Sequence, residues 1–239
     1  MADTPYNVDE SLHLSVRFSS SNYTGQDWPE RYFTEESATL HVSNIDIDGP
    51  TTQVGELRFQ VADVASMIND RCPLWRTFDI TQELHELYCA VFGEDEDPKP
   101  AVLRAAGFED EERPNNFGLL HLDWLRIEPR FQGHNLGLVL MREVIQRRRA
   151  SAGLVLLQAF PLYAKDRMGQ EMTASGFSQA RRKLYAHFGK LGFERISRAT
   201  GEGFMVRNTC VAPPEEQDLL AQDWEEQLRA ALTPEAVSA

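Results

Sequence analysis

Hydrophobic and polar residues alternate in the early part of the chain and form helical stripes further on. Leu12, Leu14, Val16 and Phe18 alternate with His13, Ser15 and Arg17, the pattern of a strand with one buried face. Residues 19–36 are polar, contain Gly25 and Pro29, and predict a loop. Alternation returns over Ala38 to Ile47. Asp48-Gly49-Pro50 is a turn signal and Gln53 to Val61 resumes as a strand, so a hairpin is expected. Asp79-Ile80-Thr81-Gln82 predicts a helix start with Asp79 as N-cap. Ile80, Leu84, Leu87, Tyr88 and Val91 give that helix its stripe, and Gly93 ends it. Pro98 and Pro100 mark a loop before a short helix at 101–107.

Leu119 to Ile127 is the clearest strand, stopped by Glu128-Pro129. A glycine-containing loop follows. The next helix, from about Leu136 to Arg149, carries Leu136, Leu140, Met141, Val144 and Ile145 on one face. Leu154 to Leu157 is continuously apolar, as in a strand buried on both faces. A polar connector covers 164–176. Ala180, Leu184, Phe188 and Leu191 then stripe a helix from about Ser178, closed by Gly192 as a left-handed cap. Two short strands, near 193–199 and 203–209, finish the pattern. Beyond Pro213-Pro214, Leu220, Trp224, Leu228 and Leu232 recur every four residues. They predict an amphipathic helix that either packs on its own domain or meets a partner or a second copy. The organisation expected is a loose stretch at 1–10, one α/β domain over 11–210, and an acidic helical tail over 211–239.

Composition narrows the class. At 239 residues, one domain with appendages is expected, and 42% hydrophobic with 26% charged residues fits an ordinary globular chain. The net charge of −13 predicts no general nucleic-acid binding. Acidic clusters occur at 94–97 and 109–112. They serve solubility or attract a cationic amine. The segment 126–149 is instead basic, with Arg126, Arg130, Arg142 and Arg147-Arg148-Arg149, and suits either an anionic ligand or a solvated helix end. Cys72, Cys89 and Cys210 have no metal-ligand spacing, so no metal is expected. The N-terminus has no secretory pattern and no run approaches the ~18 apolar residues of a membrane span. A cytoplasmic location without membrane contact follows as the expectation.

The loop Arg130-Phe131-Gln132-Gly133-His134-Asn135-Leu136-Gly137 opens a helix. A helix N-terminus offers free backbone N–H groups and partial positive charge. Gly133 and Gly137 lack a Cβ and are expected to let phosphate oxygens approach the main chain. Read alone, the loop is an anion site or a plain connector. A third reading, a nucleotide-phosphate site, is opposed by the missing Lys-Ser/Thr ending of a P-loop and by a spacing that differs from a dinucleotide fingerprint.

The stretch Leu125 to Met141 resembles the acyl-CoA-binding motif of the GNAT superfamily of N-acetyltransferases, Gln/Arg-x-x-Gly-x-Gly/Ala after an apolar strand. Arg130 and Gly133 match, while Asn135 stands where Gly or Ala is usual. Asn tolerates a left-handed backbone better than other non-glycine residues. Downstream, Ala180 to Phe193 resembles the family's last helix, with Lys190-Leu191-Gly192-Phe193 intact and Phe188 where many members carry a tyrosine acid. The resemblance covers about 119–209 well and 12–61 as compatible strands.

The resemblance implies a mixed α/β (α+β) fold, with a central, mostly antiparallel sheet of about six to seven strands flanked by helices. It implies an N-acetyltransferase that moves an acetyl group from acetyl-CoA to a primary amine of a small molecule or protein by direct attack. Acetyl-CoA would be held by the main chain of Leu125 and Ile127, by Arg130, Gln132, Gly133, His134, Asn135, Leu136 and Gly137, and beside Phe188. His134 is expected to face solvent and give only its N–H. Alternation puts His121, Asp123 and Leu125 on one face of their strand. His121 is thus a candidate base oriented by Asp123, or half of a pair that only satisfies itself. Tyr185, one turn before Phe188, is a substitute acid or a core residue. Phe188 and Asn135 also motivate a second reading, a non-catalytic member that binds CoA or a protein partner in a regulatory role.

Overall fold

The computed structural model describes residues 12–21, 28–44, 51–109, 112–114, 116–161, 173–197, 203–220 and 223–232. The expected loose stretch 1–10 and the Asp48-Gly49-Pro50 turn lie outside them, as does most of the connector at 164–176. Among the described residues seven strands form one sheet in the order β1-β2-β3-β4-β5-β7-β6. They are β1 Leu12–Ser21, β2 Phe33–Asn44, β3 Thr52–Ala62, β4 Leu119–Ile127, β5 Leu154–Gln158, β6 Glu194–Arg195 and β7 Phe204–Asn208. Every pairing is antiparallel except β4 with β5. This is the mixed, mostly antiparallel sheet flanked by helices that was expected.

The polar stretch 19–36 is less of a loop than its composition predicts. Ser19, Ser20 and Ser21 pair with Ser37, Glu36 and Glu35, which carries both strands of the β1–β2 pair into this stretch. Ladder bonds are made by the main chain, so polar side chains do not prevent them.

Helices cover both faces. On one side lie α1 Val64–Asn69, α2 Leu74–Thr77, α3 Gln82–Val91 and α4 Pro100–Ala105, built around Met67, Phe78, Leu87 and Val102. The cap of α3 is Thr81, whose Oγ1 accepts from the Leu84 N–H at 3.2 Å, rather than the predicted Asp79. Asp79 instead faces His85 Nδ1 at 3.4 Å. On the other side lie α5 Leu136–Arg148 and α6 Ala174–Gly189, with α7 Glu216–Leu219 and α8 Trp224–Leu232. The predicted C-terminal helix is thus two helices, with Leu220 extended after the first. Leu219 and Leu228 are buried in the same cluster as Leu138 and Val139 of α5, so this segment packs on its own chain. Gly192 adopts the predicted left-handed conformation at φ 81°, which turns Leu191 and Phe193 into that cluster. Among the described residues no helix is long and apolar enough to cross a membrane.

Candidate functional site

β4 and β5 run side by side only briefly. Leu119 to Leu122 pair with Leu154 to Leu157, and beyond that β4 continues to Ile127 with its β5-side edge open. A bulge lies at the same point. Arg58 of β3 opposes Trp124 and Phe59 opposes Leu122, which leaves Asp123 as the extra residue. The bulge overturns the alternation expected along β4. Leu120 and Leu122 belong to the α5-side cluster, and after the bulge so do Leu125 and Ile127. Leu119 belongs to the α1–α4 side, where alternation also puts His121. His121 and Leu125 therefore lie on opposite faces, because one inserted residue reverses the parity of a strand.

The main chain confirms the phase. Glu128 donates its N–H to Val54 O at 2.9 Å, toward β3. Alternation then turns the N–H and C=O groups of Leu125 and Ile127 to the open edge. Gln132 uses this edge, its Nε2 donating to Ile127 O at 3.0 Å.

The loop that follows is sharply folded. Pro129–Phe131 form a 3-10 turn with Phe131 fully buried, and the Arg130 guanidinium lies 4.6 Å from that ring's centroid. Gly133 has φ 95°, a backbone that calls for glycine, and open space where a Cβ would point. Asn135 has φ 59°, the left-handed geometry its side chain tolerates, and its Nδ2 donates to Leu219 O at 2.8 Å. Among the described residues the N–H groups of Gly133, His134, Asn135, Leu136 and Gly137 have no protein acceptor, while Leu138 and Val139 already donate to Asn135 O.

Two expectations fail here. The missing Cβ of Gly137 points into the core and not toward a phosphate: a Cβ there would lie 3.0 Å from Leu125 Cδ2 and 3.5 Å from Ile127 Cγ1, so this residue offers a ligand its N–H alone. Its missing side chain lets α5 close on β4. His134 is half-buried rather than solvent-facing, and its Nδ1 is buried without a partner.

The arginines after the loop serve the fold. Arg142 is buried, donates to Pro214 O at 2.6 Å and pairs with Glu215 at 2.9 Å. Arg147 lies 4.2 Å from the centroid of Phe18, Arg148 pairs with Glu36, and Arg149 donates to Cys210 O at 2.9 Å. Arg130 makes no ion pair among the described residues.

Where β4 and β5 part, a cavity of about 640 Å³ opens, with α3 on one side and α6 on the other. Leu57, Leu122, Leu125, Met141, Leu157, Leu184 and Phe188 supply its apolar wall. No residue of 130–137 lines it; Leu125, which touches Gly137, is the link between loop and cavity. α6 explains the space. None of its residues is fully buried, although Leu184, Tyr185 and Phe188 pack at the core's margin. The helix stands off the sheet and keeps its apolar face partly uncovered.

His121 lines the cavity and is only 7% exposed, with Nδ1 unpartnered. Burial pushes its imidazole down to about 4, against an opposing pull from Glu83. Asp123 also lines the cavity, at an accessible rim closely ringed by protein. Burial first and Glu83 second raise its carboxyl, while Arg58 opposes them. No hydrogen bond or ion pair joins His121 to Asp123. The expected orienting pair is absent because the bulge takes the two residues out of one alternating series.

Tyr185 does not line the cavity; the Arg195 guanidinium lies 4.3 Å from its ring centroid. Phe188, three residues on, does line the wall. Sequence reasoning missed Glu83 and Glu86 of α3 and His187 of α6, all of them lining residues. Burial, then Lys190, lowers the His187 imidazole. The only sequence signal for the glutamates is their place beside the stripe of α3. Nothing local links that helix to β4.

No protein-family model matches the chain, and no curated protein does. Among solved structures it is similar to a chain of the crystal structure of the KacTA–DNA complex, at 12% identity and a TM-score of 0.38, over 83% of this chain and 94% of that one. The expected exclusion of nucleic acid is corrected by this match, since a similar chain comes from a complex with DNA. Net charge sums a whole chain, whereas contact surfaces are local. At that TM-score the match assigns this chain no ligand.

Proposed function

We propose that the protein is a GNAT-type acyltransferase that moves an acetyl group from acetyl-CoA to a primary amine. The observation that carries this reading is the run of five backbone N–H groups at 133–137 without acceptors, set beside the open edge of β4 and the cavity where β5 departs. Aligned free amides at the start of a thirteen-residue helix suit a pyrophosphate. Gly133, with open space at its missing Cβ, lets the oxygens come close, and Arg130 adds a cation. The main-chain groups of Leu125 and the N–H of Ile127, whose carbonyl Gln132 holds, suit an amide-bearing arm laid along β4. The apolar wall with Phe188 suits its thioester end.

When bound, acetyl-CoA supplies the acyl carbon: the amine nitrogen bonds to it as its bond to sulfur breaks, an amine proton leaves, and the thiolate takes a proton. The chain's residues set the stage for that transfer. His121, held neutral by burial, accepts a hydrogen bond from the amine. Asp123, at the rim, has a raised carboxyl and takes the proton toward solvent. Tyr185 has no part in this scheme, and the thiolate is protonated from water.

Calorimetric titration with acetyl-CoA tests the donor site, and binding with a Kd below millimolar is expected. Absence of binding at millimolar ligand would sink the reading. Thiol release with a panel of amines tests turnover. Binding without release across the panel favours the regulatory, non-catalytic alternative motivated by Phe188.

A further inference from the structure

We propose that the cavity's α3 side is an ammonium subsite built by Glu83, Glu86 and Asp123 around the unpartnered His121, and that the acceptor is an amine carrying more than one positive charge. The proposal rests on the reading of the cavity as an acyl-transfer site and names its substrate class. The three carboxylates come from two elements far apart in the chain, and only folding puts them on one wall. Neither Glu83 nor Asp123 makes an ion pair among the described residues. Glu86 accepts only the Gln82 amide, at 2.9 Å. Glu83 acts electrostatically on both His121 and Asp123 and lines the same cavity as they do. Among the described lining residues Lys183, across the cavity on α6, is the one formal cation.

The buried imidazole supplies the independent sign of a ligand. His121 Nδ1 has no protein partner at 7% residue exposure, and leaving a buried polar atom unpaired is costly. A ligand N–H entering the cavity relieves that cost, and the carboxylates around it select a ligand that is cationic. A monoamine has one charge to offer and loses it on reaction. A polyamine keeps further ammonium groups for Glu83 and Glu86 while one nitrogen reacts.

Spermidine and n-butylamine are the probes, each titrated calorimetrically into protein with and without saturating CoA. Spermidine is expected to bind at least tenfold more tightly than n-butylamine. Its affinity should fall about tenfold in Glu83→Gln and less in Glu86→Gln, the size of one charge-assisted contact. It should also fall with added salt. The affinity of both variants for acetyl-CoA should stay within twofold of the parent. Equal binding of the two amines, or spermidine affinity unchanged in both variants, overturns the proposal. Spermidine binding that depends on Glu83 in a protein with no affinity for acetyl-CoA upholds the subsite and sinks the donor assignment instead.

Discussion

The side-chain amide of Asn135 donates to the main-chain carbonyl of Leu219 across 2.8 Å, tying the helix-opening loop to the C-terminal segment. Asn135 also holds a left-handed backbone at φ 59°. The two roles separate by substitution. Asn135→Gly keeps the backbone and loses the tie, at a cost of about 1 kcal/mol. Asn135→Ala loses the tie and adds the left-handed penalty, for about 2 kcal/mol in total. Urea denaturation should rank parent above Gly above Ala. An alanine variant as stable as the glycine variant would contradict this assignment.

Gly137 is expected to matter for packing. A side chain there meets Leu125 Cδ2 at 3.0 Å, so Gly137→Val should destabilise by about 2 kcal/mol through overpacking. Leu125→Ala should recover part of that loss in the double variant, because the two positions share one space. Strictly additive thermal or urea stabilities would show that the clash lies elsewhere.

At Gly133 the opposite holds. A side chain there points into open space, and only the backbone at φ 95° resists it. Gly133→Asp should leave the fold cooperative, with about 1–2 kcal/mol of strain. Its carboxylate beside the free amides should reduce acetyl-CoA affinity by more than tenfold. Circular dichroism and calorimetry together read both effects; a well-folded variant with parental affinity would remove the loop from the site.

His121 makes stability depend on pH. Its folded pKa lies at about 4, below the ordinary 6.5, so between these values the unfolded chain holds the proton and the native chain does not. The stability due to this group is complete above pH 6.5, is lost as pH falls toward 4, and levels off below that. The full loss is roughly 3 kcal/mol, from 1.36 kcal/mol per pKa unit. Denaturation midpoints of the parent and of His121→Phe between pH 4 and 7 check this. The variant should show the flatter profile, and parallel profiles would mean His121 is not buried neutral.

Strand β4, the loop and α5 were legible because each carries a local signal. Leu119 to Ile127 is apolar and ends at Glu128-Pro129. Gly133 and Asn135 mark left-handed turns, and the stripe from Leu136 to Ile145 has helical period. Gly192 was equally legible. These features depend on backbone sterics and on burying one face, both of which act between near neighbours in the chain. The pairing of Ser19–Ser21 with Glu35–Ser37 was hidden because ladder bonds leave no trace in side-chain polarity.

What folding alone decided lies in contacts between distant segments. The extra residue at Asp123 appears only when β3 pairs with β4, and it parts His121 from Leu125. Gly137 belongs to Leu125 and Ile127 because α5 lies across β4. The arginines from 142 to 149 are spent on Pro214, Glu215, Phe18, Glu36 and Cys210, partners that no spacing rule connects to them. Glu83 reaches the cavity because α3 covers the face of the sheet that bears His121. The sequence by itself determined the elements and the loop, since local periodicity and turn chemistry act over a few residues. The tertiary structure decided which of those residues share a cavity, because burial and electrostatics depend on distance in space.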